Sequence, residues 1–227
     1  MKGAYITMYP KNWVGIRLAA NITYLEGSDD IINTTGINEL HRKQRNLDFK
    51  STVLEGYVAL ELFPLMLLKS NSGYEPRLRP YGFSGIGLFH FNPKGSLTDA
   101  AGNKTWYALQ PLRLEGQGMS EYPYSKPYKL TQINIPLGGG IKYYASDRIN
   151  LSAEVIYRKT FTDYIDDVSK KYIDPNSYNK YLSAQDAALA YKLSDKTIGI
   201  IFPGMTRFPA NTQRGDSKDG DTYFSVV

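Results

Sequence analysis

The chain contains no cysteine, only two histidines, and no apolar run long enough to cross a membrane as a helix. The missing cysteines exclude disulfides and thiolate metal sites. The longest apolar stretch, Gly56 to Leu68, is interrupted by Glu61 and Pro64 and falls short of the roughly 20 residues a spanning helix needs. A block of lysine and arginine interleaved with aromatics is also missing. The net charge of +5 therefore points to no nucleic-acid partner. Met1 runs almost straight into strand-like sequence, without the charged and apolar regions of a leader. Residues 222–227 are about half the length of a spanning strand. Both ends are expected to be cut, with a first strand and the end of the last one missing.

What the chain does have is alternation. From Val14 to Tyr24 the even positions are apolar and the odd ones small or polar, Arg17 included. Ile133, Ile135, Leu137, Ile141 and Tyr143 alternate with Gln132, Asn134, Gly138, Gly140 and Lys142. Leu151, Ala153, Val155 and Tyr157 alternate with Asn150, Ser152, Glu154 and Arg158. Period two means strands whose two faces meet different surroundings. In lipid a sheet must close to satisfy its edges, so such strands suit a barrel with an apolar exterior and a polar lumen. Nineteen tyrosines fit this reading, because rings with one wet end collect at membrane interfaces. A mean hydropathy of -0.39 does not contradict it, since half of each strand faces the lumen.

Strands are predicted at residues 3–9, 13–26, 49–65, 78–92, 130–145, 149–164 and 221–227, in one domain over 1–227. Tight or modest turns at 9–12, 67–77 and 146–148 alternate with long polar loops at 27–48, 93–129 and 165–220. Short turns on one rim and long loops on the other are the arrangement of outer-membrane barrels, the short rim being periplasmic. The expected fold is all-β: an eight-stranded antiparallel up-and-down transmembrane barrel, about seven strands of it present. In the last loop, Ser183 followed by Ala184 to Ala190 reads as a capped helix of two or three turns.

The lumen face carries Arg17, Lys142 and Arg158 against Glu55, Glu61 and Glu154. A hairpin turn at 146–148 sets Lys142 opposite Ser152, with Glu154 its diagonal neighbour, and Gly140 opposite Glu154. Pro136 and Gly138 leave room beside Arg158, and Pro136 suggests a bulge. A small barrel is filled by its side chains. These charges then either neutralise one another structurally or line a proton or ion path. Asp163, Asp166 and Asp167 crowd a strand end. They either cap the loop and pair with Lys170, Lys171 or a neighbouring loop, or offer oxygens to calcium, although EF-hand spacing is absent. His90 has Ser84 on its own strand as a candidate hydrolase partner, and His41 is the other histidine; packing is the competing role. Gly138-Gly139-Gly140 and Gly82 to Gly87 lack GxGxxG and a following helix, so no cofactor is expected. No residue is assigned to catalysis or metal binding.

Several loop words are more specific than the strands. They are Gln44-Arg45-Asn46-Leu47-Asp48-Phe49-Lys50-Ser51, the segment Pro80 to Pro93, Leu109-Gln110-Pro111-Leu112, Glu115-Gly116-Gln117-Gly118, Tyr122-Pro123, Thr131-Gln132 and the segment Arg158 to Ser169. Together, and over nearly all of the chain, they resemble the PorG-like outer-membrane β-barrel family of Bacteroidetes. The resemblance implies an eight-stranded barrel in the outer membrane of a Gram-negative bacterium. It implies a non-enzymatic, anchoring role in the type IX secretion system, against PorK/PorN-like periplasmic ring proteins. A barrel filled by ion pairs has no room for folded cargo, so contact would fall to the short turns, with Lys11, Lys69 and Arg148 as candidates. Bacteroidetes carry several paralogues of this barrel, and an unknown structural role for one of them is an alternative. So are a barrel hydrolase or lipid-modifying enzyme and a soluble lipocalin-like binder, which would place its apolar face inside.

Overall fold

A computed structural model describes residues 1–31, 42–68, 75–146, 149–197, 207–215 and 222–226. All seven alternating segments form strands: β1 (Lys2–Lys11), β2 (Val14–Ser28), β3 (Asp48–Leu62), β4 (Leu78–His90), β7 (Thr131–Tyr144), β8 (Asn150–Thr160) and β9 (Thr222–Val226). Two short strands, β5 (Lys94–Thr98) and β6 (Lys104–Ala108), form a hairpin inside the first half of a predicted loop. The order is β1-β2-β3-β4-β7-β8-β9, each neighbour antiparallel, with β5 joined to β3 at the Lys50–Lys94 pair. Among the described residues β1 and β9 do not pair with each other, so the sheet is a curled half-barrel with two open edges.

The register keeps one set of side chains on one face, because any slip by one residue would turn every side chain over. Arg17, Ala19 and Asn21 of β2 stand beside Ala59, Tyr57 and Glu55 of β3 on the concave face. Leu18, Val58 and Ile86 stand in line on the convex face and are 60%, 49% and 62% exposed. Gly140 opposes Glu154 and Lys142 opposes Ser152, the register predicted from the turn. Pro136 makes no bulge. The β4–β7 ladder is interrupted where Gly85 and Ile86 face Ile135 and Pro136, yet the register is the same on both sides. A proline has no N–H to give the ladder. The register shift falls instead between Met8 and Lys11 of β1.

At the short-turn end, the single helical turn Pro64–Leu68 folds Met66 under the sheet beside Phe63, both almost fully buried. At the other end the loops pack on one another. The β5–β6 turn is tied by Asp99, whose carboxylate accepts the N–H groups of Ala101 and Asn103 at 2.9 Å each. The predicted helix is present as Ala184–Ser194, and the Ser183 hydroxyl accepts the Asp186 N–H at 3.1 Å. Its buried face, Ala187, Ala190 and Leu193, joins Leu109, Leu112, Leu114, Met119, Tyr122, Ile173 and Tyr178 in a core distinct from those of the long strands, with Leu97 and Tyr107 of the β5–β6 hairpin packed against it. Among the described residues no helix is long and apolar enough to cross a membrane.

Candidate functional site

The concave face holds the six charges expected there, Arg17, Glu55, Glu61, Lys142, Glu154 and Arg158, all buried. Two layers follow from where they sit along the strands. Nearer the short turns, Glu61 takes Arg17 at 2.5 Å and Lys142 at 2.8 Å, while Arg17 also forks onto Glu154 at 3.0 and 2.9 Å. Nearer the loops, Arg158 meets Glu55 at 2.8 Å, and Asn21 completes that carboxylate at 2.9 Å. Asn134 donates to Glu55 as well. Hydroxyls fill the remaining acceptor positions: Thr7 donates to Glu61 at 3.1 Å and Tyr81 to Glu154 at 2.5 Å. The Tyr9 hydroxyl accepts from Lys142 at 2.7 Å. Tyr57, Phe83 and Ile156 are buried between the two charged layers.

The partners differ from those the hairpin register suggests. Glu154 is not the partner of Lys142; it binds Arg17 of β2, four strands along the sheet. Curling brings β2 and β8 face to face, and Lys142 reaches across to Glu61 of β3. Three cations then meet three carboxylates, and each ion has a charge partner of opposite sign within 2.9 Å. Buried charges are tolerated only on such terms. Above them Phe89, Phe91, Tyr128 and Tyr164 stack with centroids 5.5, 6.1 and 4.6 Å apart. The charged layers are thus enclosed by Phe63 and Met66 at one end and by this stack at the other.

The acidic cluster does not act as a unit. Asp166 accepts the Val168 N–H at 2.9 Å, Asp167 takes the Tyr128 hydroxyl at 2.6 Å, and Asp163 is half-buried. Among the described residues no three His, Cys, Asp or Glu side chains are placed to hold a metal ion. Burial pushes Asp163 up to about 6 and Asp167 up to about 7, and raises Asp166. Among the described residues neither Lys170 nor Lys171 forms an ion pair; the contacts come from neighbouring loops, the other pairing expected. The cation that serves the cluster is Arg214, which meets Glu115 at 3.0 Å and donates to the Asp167 carbonyl. Glu115 also accepts the N–H groups of Ser169 and Lys170, tying loop 113–128 to loop 161–177. Glu115 lies in a glycine-rich word visible in the sequence, but a partner 99 residues away leaves no local signal.

Ser84 and His90 both lie on the convex side of β4, six residues or roughly 20 Å apart. His90 Nδ1 meets the Thr131 hydroxyl at 3.0 Å, so the two do not form a dyad. His41 lies outside the described residues, as do two of the three candidate rim contacts, Lys69 and Arg148. Lys11 ends β1 at the short-turn rim, exposed, with its ammonium 5.7 Å from the Trp13 ring. Compared with family models, curated proteins and solved structures, the chain matches none.

Proposed function

We propose that this chain supplies seven strands of an eight-stranded outer-membrane barrel without catalytic chemistry, acting as an anchoring part of a type IX protein secretion system. The observation that carries the barrel reading is the polarity of the sheet: ion pairs are buried on its concave face while its convex face exposes leucine, isoleucine and valine on every long strand. Water outside would reverse that order, and lipid outside explains it. A soluble ligand-binding barrel would place these apolar rows inward. Strand parity supports closure. Successive antiparallel steps leave β1 and β9 running in the same direction, so one strand antiparallel to both edges completes an all-antiparallel ring.

The filled interior supports a role at the rims rather than in transport, since charged layers and aromatic stacks leave no passage for a folded cargo. The secretion role rests on the likeness of the loop words to PorG-like barrels. In that reading the short turns face the periplasm and present Lys11, Lys69 and Arg148 to a ring of PorK/PorN type. Deleting the gene is expected to block release of type IX cargo. Reversing the three charges is expected to lower co-purification with the ring while the barrel stays folded. Normal cargo release in the deletion strain contradicts the secretion role and leaves the barrel intact.

A further inference from the structure

One region of the convex face departs from the continuous apolar rows. Lys2, Ile22, Leu54, His90 and Thr131 stand directly opposite one another across five strands. The next row towards the short turns begins Ala4, Ala20, Gly56. Three small residues beside bulky ones leave a trench, and a groove of about 520 Å³ opens here, lined by Ala20, Ile22, Leu54, Gly56, Leu88 and His90 among others. A Cβ added at Gly56 would meet nothing nearer than 3.9 Å. On the loop side of the groove, Lys50 and Lys94 are directly opposite each other. Two like charges so placed repel. Lys50 rests its ammonium 4.1 Å from the Trp106 ring, and neither lysine has a carboxylate partner among the described residues. Two carboxylates face the patch. Glu26 stands opposite Lys50 on β2 without an ion pair to it. Asp48 is engaged by Lys196 and Lys104.

An apolar trench with two lysines that form no ion pair among the described residues, on the side of the long loops, matches one kind of occupant. We infer that this face binds a phosphate-bearing lipid, its acyl chain over Ala4, Ala20 and Gly56 between Lys2 and His90 of the groove, and its phosphate farther towards the loops against Lys50 and Lys94. The charge complements the lysines, and the chain fills the space that small residues leave. The inference rests on the reading of the convex face as lipid-facing, and it adds selectivity to that reading. Free phosphate would satisfy the lysines and leave the trench empty.

The test is retention of lipid by the purified full chain under native mass spectrometry, offered phosphatidic acid and diacylglycerol of the same acyl length. Phosphatidic acid is expected to be retained over diacylglycerol. The Lys50→Gln, Lys94→Gln pair is expected to weaken that retention about 30-fold. Gly56→Leu, which fills the trench, is expected to weaken retention of both lipids. Equal retention of the two lipids, a lysine variant that behaves as the parent, or displacement by equimolar inorganic phosphate overturns the inference. Insertion into phosphatidylcholine vesicles separates the two readings: insertion without selectivity removes only the lipid site, and failure to insert removes the membrane reading with it.

Discussion

In the sheet, side chains such as Leu18, Leu60 and Ile141 face outward while Arg17, Glu61 and Lys142 are sealed inside. In the loop cap the order is reversed: Leu114, Met119 and Leu193 are inside, and Lys180, Lys192 and Glu121 are outside or near the surface. One chain therefore carries two polarities, and the change falls where the strands give way to loops. The cap is built as a water-soluble domain is, driven by apolar burial. The sheet leaves its apolar rows exposed on the convex face, and its interior is specified by the register and by ion pairs. The cap also uses the sheet's device, in the buried Glu115–Arg214 pair that joins two loops.

The contrast is broken most strongly by removing one interior charge. Glu61→Leu leaves both Arg17 and Lys142 short of a carboxylate and is expected to cost about 4 kcal/mol in reversible unfolding from detergent. Glu154→Leu takes from Arg17 its forked partner and leaves Glu61 to serve both Arg17 and Lys142, and is expected to cost about 3 kcal/mol. In the cap, Leu193→Ala opens a cavity among Leu109, Tyr178 and Ala190, a loss of about 3 kcal/mol. That loss is expected to appear as faster protease cleavage of the loops, with the sheet's unfolding transition unmoved. If both regions fail together in this variant, they are not the two separate cores described.

A pH series sharpens the comparison by a smaller effect. The folded cap holds protons on Asp163 and Asp167 that the opened loops release, because burial raises both carboxyls above the ordinary aspartate range, to about 6 and about 7. Stability from these groups is full below the unfolded pKa near 4 and is lost as pH rises through 6 and 7. Glu121, held down to about 2 by Lys180 and Tyr181, titrates below this window. Cap loops are therefore expected to resist protease better at pH 5 than at pH 8, and Asp167→Asn to flatten the dependence. A cap more resistant at pH 8 would contradict the burial of these carboxyls. The smallest effect belongs to the convex face: Ile135→Val, half exposed on the outside of β7, is expected to cost less than about 0.5 kcal/mol.

Faces were legible in the sequence, and partners were not. Period two assigns Arg17, Lys142 and Glu154 to one side of their strands whatever the tertiary structure, and the 146–148 turn fixes the β7–β8 register through Gly140 and Glu154. Which cation meets which carboxylate depends on how far the sheet curls, and no local pattern reports that. Arg17 finds Glu154 across 137 residues. The β5–β6 hairpin escaped for another reason. Lys94-Gly95-Ser96-Leu97-Thr98 is short and polar, without an alternating apolar row, and is held by Asp48 through the N–H and hydroxyl of Ser96. Ser183 was readable because a helix cap is a contact within one turn.

The proposed function requires the convex face of the sheet to meet lipid. The absence of cysteine allows single cysteines to be placed along β2 at Ile16, Ala19, Leu18, Asn21 and Ile22, labelled with a fluorophore and reconstituted in bilayers that carry a quencher on their acyl chains. Quenching is expected at Ile16, Leu18 and Ile22 and not at Ala19 and Asn21, a period of two in phase with exposure. Quenching at Ala19 and Asn21 instead, or none along the strand, would contradict it.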